Sequence, residues 1–146
     1  MKPISWVAMV LAAGIVVASC GGPSGQKAGT AASSQHYDAE NGRNVYVKHC
    51  QVCHQAQGQG VPKMFPPLTE NPRLRENANV LIDVLLNGMS GEIVVNGEVY
   101  NGIMSPYRNL SDKEIADVLN YIRFGLNGYG IDAVLPEAVA DLRKKN

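Results

Sequence analysis

The sequence predicts an all-α domain interrupted by one short β-hairpin. Three observations carry that expectation. Helical patterns open at Asp38, Asn79 and Ser111, each followed by apolar residues at helical spacing. A single stretch, Ile93 to Tyr100, sets two β-prone runs either side of Asn96-Gly97, a strong signal for a tight hairpin. The densest group of reactive side chains, Cys50-Gln51-Val52-Cys53-His54, has no strand–helix alternation around it.

That group sets the chemistry. Residues three apart share a face of a helical turn, so the Cys50 and Cys53 sulfurs can meet two vinyl groups on one side of a porphyrin. His54 then brings an imidazole under the iron. The spacing predicts covalent attachment of one haem c. Half of a zinc site would want a second Cys/His pair downstream, and none follows His54. A thioredoxin-like redox pair would not require the histidine.

The 146 residues suffice for one domain and an extension. Aromatics make up only 6% of the chain, so a protein-only core would be modest and a buried haem would complete it. Of 13 basic residues, Lys2 and Lys27 precede Tyr37, which leaves 11 against 13 acidic ones in the remainder. That balance invites neither nucleic acid nor an anionic surface.

Residues 1–19 read as a targeting segment: Lys2, then an apolar run from Ile4 to Val17 that is short for a bilayer span. Val17-Ala18-Ser19-Cys20 resembles the lipobox of bacterial lipoprotein signal peptides, which would make Cys20 the lipidated N-terminus of the mature chain. Of the three cysteines, two would then hold haem and one a lipid. Residues 20–36 are rich in Gly, Ser, Ala and Thr and read as a flexible tether reaching roughly 20–23 Å. His36, at its end, reads as incidental.

Residues 37–146 form the expected folded domain. Asp38 can cap a first helix through Glu40, Gly42, Val45 and Tyr46 to the cysteines. Gly42 lowers helix propensity, and a close helix crossing is the use expected of it. His49 cannot reach the far face of a group anchored by its neighbours, and reads as a solvated surface residue. Phe65-Pro66-Pro67-Leu68 excludes helix and holds a rigid extended path. Val80, Leu81, Val84 and Leu85 continue a second helix that stops at Gly88. Ser111 and Glu114 stand at capping-box spacing ahead of Ile115, Val118, Leu119 and Ile122, the stripe of the last main helix. Pro136 suits the first position of a short tail helix, with Arg143, Lys144 and Lys145 at its end.

A sixth iron ligand is expected from Asn101-Gly102-Ile103-Met104-Ser105-Pro106-Tyr107, a Gly/Pro-punctuated loop far enough from His54 to cross to the other haem face. Met104 is the candidate. Met89 is a rival that follows directly on a helix stop, and Met64 lies close to the cysteines. A Met104 that merely packs in the core is the alternative to any ligand role.

With these pieces in order, residues 37–146 resemble the monohaem class I cytochromes c of bacteria. They look especially like the modules beside or fused to periplasmic oxidoreductases such as copper nitrite reductases and quinoprotein dehydrogenases. The resemblance implies a class I fold around one covalent haem, with first and last helices crossing at Gly42 and Tyr121. It implies that Pro67 offers its carbonyl to the second nitrogen of His54. It also implies maturation outside the inner membrane, which suits an exported, lipid-anchored protein facing the periplasm or exterior. Such modules often read Met-Pro-Pro at the ligand loop, whereas Ser105 follows Met104 here, a departure that bears on the reduction potential.

The leading expectation is a membrane-tethered single-haem electron carrier, not an enzyme, ligated by His54 and Met104 and meeting redox partner proteins as a monomer. A fixed electron-accepting subunit of a dehydrogenase or reductase complex is the second reading. A peroxidase or gas-binding protein is the third; it would need an open sixth site and polar groups above the iron.

Overall fold

The structure, a computed structural model, describes residues 37–145. The targeting segment, Cys20, the tether and His36 fall outside the described residues. No helix among those described is long and apolar enough to cross a membrane.

Helix α1 spans Ala39–His49, and its first turn is closed by Asp38, whose carboxylate accepts from the Asn41 N–H at 2.9 Å. After a break at Cys50, the single turn α2, Gln51–His54, follows. A 3-10 turn, Pro72–Arg75, leads to α3, Ala78–Asn87. The cap of α3 is Asn77, one signal the apolar pattern did not reveal, and its stop is Gly88 as expected. Strands β1, Met89–Val95, and β2, Glu98–Met104, form one antiparallel hairpin. Helix α4, Asp112–Asn120, carries the predicted capping box at Ser111 and Glu114 and runs into a π-helical turn, Tyr121–Leu126. Helix α5, Pro136–Lys145, closes the chain.

The core is a helical cradle. Val45 and Tyr46 of α1, Ile82, Leu85 and Leu86 of α3, Ile115, Val118 and Leu119 of α4 and Val139 of α5 are all buried in one cluster. The expected crossing is present. A Cβ on Gly42 would overlap the carbonyl of Asp117 and lie 2.9 Å from Cβ of Tyr121, so only glycine lets α1 approach α4 this closely. The Tyr46 and Tyr121 rings pack beside that point at 5.5 Å. Asp117 is buried at the same crossing, where it accepts from the backbone N–H of Asp38 at 3.1 Å and from Asn41 Nδ2 at 2.7 Å. One α4 carboxylate thus fastens the first turn of α1.

Two polar residues tie the rest to α4. Buried Asn120 exchanges two hydrogen bonds with Val134, at 2.9 and 2.8 Å. Buried Arg123 donates to the carbonyls of Leu74 and Asp132.

The hairpin departs from expectation in extent. Its strands run seven residues each, well beyond Ile93–Tyr100, and Met104 ends a strand rather than sitting in a loop. Ser90, Gly91, Glu92, Asn101 and Gly102 have little strand propensity of their own. They are extended because each faces a partner across the ladder, from Ser90 opposite Ile103 to Glu92 opposite Asn101.

Candidate haem site

Two adjoining cavities form one slot between the helical cradle and the hairpin. Both are lined by Cys50, His54, Pro66, Met89, Ile93 and Met104. The inner cavity adds Leu68, Leu74, Leu81, Leu85, Leu119 and Ile122, a mainly apolar wall joined by Asn71, Arg73 and Glu76. The outer one adds Cys53, Met64, Tyr100, Tyr107 and the glycines of the hairpin. Cys50, Cys53, His54 and Met104, separated by up to half the domain in sequence, are therefore brought to a single slot.

The α1–α2 break places the cysteines. Cys50 ends α1, its N–H bonded to the Tyr46 carbonyl at 2.8 Å, and the His54 N–H bonds back to the Cys50 carbonyl at 2.9 Å. Cys50 is buried and Cys53 half-buried, and no disulfide joins them. Burial, and then the neighbouring Cys53, pushes the Cys50 thiol up to about 12, so it stays protonated at neutral pH. Tyr46 is likewise raised to about 12, first by burial. Its hydroxyl donates to the Gln55 carbonyl at 2.6 Å, which fastens the turn leaving His54.

His54 is buried, with 7% of its surface exposed. Its Nδ1 lies 2.9 Å from the carbonyl oxygen of Pro66. A carbonyl only accepts, so Nδ1 carries the proton and Nε2 keeps a free lone pair. Burial lowers the His54 pKa more than this hydrogen bond raises it, which favours the neutral, ligating ring.

The acceptor is a correction. Pro67 does not hold His54; Pro66 does, and the Pro67 carbonyl instead accepts from Asn71 Nδ2 at 2.9 Å. The buried Asn71 captures that carbonyl and points the rigid proline pair one residue back toward the histidine.

In the same slot, Met104 packs against the buried core and stands directly across the ladder from Met89. The segment after it is pinned to α3, for the Tyr107 N–H donates to the Leu85 carbonyl at 2.7 Å. Tyr107 also corrects the reading of His49. Its hydroxyl donates to the His49 carbonyl at 2.9 Å and its ring meets the His49 ring edge-on at 5.8 Å. His49 is half-buried at the slot, not solvated. The sequence held no signal for this contact, which joins residues 58 apart.

The slot suits a haem by its chemistry: two thiols three residues apart, an imidazole held at Nδ1–H by an acceptor with Nε2 left free, a thioether in the same slot, and mainly apolar walls. Among the described residues no three His, Cys, Asp or Glu side chains gather as metal ligands, so the cysteine pair has no zinc partners there.

The sequence model of the cytochrome c family matches residues 39–124. Cytochrome c-552 of Thermus thermophilus is 45% identical over 86 residues, which cover 56% of this chain and 65% of that protein. Cytochrome c-555 of Prosthecochloris aestuarii is 30% identical over 93 residues, covering 64% of this chain and 93% of its own length. The cytochrome c subunit of the quinone alcohol dehydrogenase of Gluconacetobacter polyoxogenes is 35% identical over 105 residues, 70% of this chain but 22% of that subunit. The chain thus spans less than two thirds of the Thermus protein and about a fifth of the dehydrogenase subunit.

Proposed function

The chain belongs to the cytochrome c family, and from that premise we propose a one-electron carrier with a single haem c held across the slot by His54 and Met104. The family's cofactor is haem c, and the sequence has one attachment motif for it. Haem supplies an iron that cycles between ferrous and ferric states.

The chain's own residues do the rest. Cys50 and Cys53 would hold the haem through thioethers, each S–H adding across a vinyl double bond so that no oxidant is needed. His54 would hold the iron through Nε2, and the Pro66 carbonyl on Nδ1–H fixes the ring and increases its basicity. Met104 would hold it through its thioether, a ligand that would raise the potential and close the iron to substrate. The apolar wall from Leu68 to Ile122 excludes water and so limits the solvent that must reorganise when the charge changes. The observation that supports this reading is that His54 and Met104 line the same, mainly apolar slot.

Electrons would enter and leave at the outer rim. Val52, Met64 and Ile103 are 77%, 59% and 84% exposed, and Met64 and Ile103 line the slot's mouth. Exposed apolar side chains around a redox centre suit a transient redox protein partner, with no call for nucleic acid.

A potentiometric titration of the holoprotein tests the carrier. A single one-electron wave between two low-spin states is expected; a high-spin resting iron that turns over peroxide would support the peroxidase alternative instead.

The same proposal includes export with residues 1–19 as signal, lipid on Cys20, and the 20–36 tether leading to the cytochrome domain of residues 37–146. Cys20→Ala should move the protein from the membrane to the soluble fraction. Similarity to a quinone alcohol dehydrogenase subunit and to the gluconate 2-dehydrogenase cytochrome c subunit of Pantoea cypripedii favours a second reading, a fixed subunit of a dehydrogenase complex. Co-purification of a dehydrogenase from gently solubilised membranes separates it from a free carrier.

A further inference from the structure

The hairpin brings a second thioether to the slot. Met89 and Met104 are directly opposed in the antiparallel register, so their side chains share one face of the sheet. Both line both cavities of the slot together with His54. Their closeness is built in by Gly88, where φ is +76° and a Cβ would crowd the Met104 carbonyl and lie 3.1 Å from the Pro106 nitrogen. A glycine there lets β1 begin flush against the end of β2.

The next pair on the same face is Gly91 opposite Gly102, which places no side chain between the methionines and the open part of the slot. A Cβ on Gly91 would meet nothing within 4 Å. Methionine is unbranched and has three rotatable side-chain bonds, so a thioether beside such a gap can reposition without displacing a neighbour. Met104 packs against the buried core and is the better fixed of the two. Met64 lines only the outer cavity and is 59% exposed, on the turn that leads to the prolines.

We propose that Met89 is a reserve axial ligand, able to take the iron when Met104 leaves it. This rests on the assignment of His54 and Met104 as the resident pair. Its consequence is that loss of the Met104 bond does not open the iron to peroxide or other small ligands, so the centre remains an electron carrier through thermal or chemical damage to its distal bond.

The test compares holoproteins carrying Met89→Leu, Met104→Ala and both changes, read by the far-red thioether-to-ferric-iron band, the spin state and cyanide binding. Met104→Leu, read in the same way, serves where the alanine variant is too loosely packed to mature. The expected result is an unchanged band in Met89→Leu, a retained low-spin thioether spectrum in Met104→Ala, and loss of the band with ready cyanide binding only in the double variant. A Met104 variant already high-spin and indistinguishable from the double overturns the reserve role while leaving the resident pair intact. Loss of the band in Met89→Leu alone overturns it by making Met89 the resident ligand. A wild-type protein without the band overturns both assignments together.

Discussion

The two walls of the slot are built by opposite means. The proximal wall is local: Cys50, Cys53, His54 and Pro66 lie within 17 consecutive residues, and one helical turn and one proline carbonyl fix them. The distal wall is long-range: Met104 reaches the slot only because β1 and β2 pair and because Tyr107 is tied to Leu85 of α3. His54 is buried, whereas Met89 and Met104 are half-buried on a hairpin whose other face is open, with Val94 and Val99 exposed. In the proposed site, one ligand would be held by covalent spacing and the other left on a pairing-dependent hairpin.

Breaking the proximal wall should have the largest effect. Cys50→Ser with Cys53→Ser removes both sites of attachment, and no covalent haem should survive denaturing electrophoresis. Far-ultraviolet circular dichroism of the same variant should fall with it, because the apolar slot loses its filling.

The cradle beneath that wall comes next. Gly42→Ala drives a methyl group into the Asp117 carbonyl and should cost about 1–3 kcal/mol in denaturant unfolding, as overpacking does. Gly130→Ala, beyond the π-helical turn, is the paired control. Its Cβ would meet nothing within 4 Å, and stability should change by no more than about 0.5 kcal/mol. Equal losses at both glycines would contradict a close helix crossing at Gly42.

Smaller still is the α4 cap. Ser111→Ala should cost about 1 kcal/mol without moving the visible spectrum, since neither Ser111 nor Glu114 lines the slot. It also has a pH signature. The Ser111 backbone N–H, then its hydroxyl, holds the Glu114 carboxyl below its ordinary 4.5. The folded state thus prefers the carboxylate, so this stabilisation is complete above pH 4.5 and is lost as pH falls through the lower folded value. Ser111→Ala should flatten that part of the acid unfolding curve, leaving the share contributed by the backbone N–H.

How much could be read in advance follows the same division. Asp38, Gly42, Ser111 and the apolar stripe of α4 act over a few residues, and their roles were legible in spacing and propensity. The hairpin was legible only at its Asn96-Gly97 tip, because Ser90, Gly91, Glu92, Asn101 and Gly102 become strand by pairing and not by preference. The His54 acceptor was misplaced by one residue for a related reason. Pro66 and Pro67 are indistinguishable in chain stiffness, and the choice between their carbonyls is made by Asn71, which captures the Pro67 oxygen. The His49–Tyr107 contact, likewise, exists only after folding.

The central claim is that the iron sits between His54 and Met104. Proton magnetic resonance of the reduced holoprotein tests it most directly, because a methionine methyl bound over the haem is shifted far upfield by the porphyrin ring current. The account predicts one such methyl, connected by through-space contacts to Ile103 and Ser105 and therefore belonging to Met104. No upfield methyl, or one assigned in the intact protein to Met89 or Met64, would contradict it.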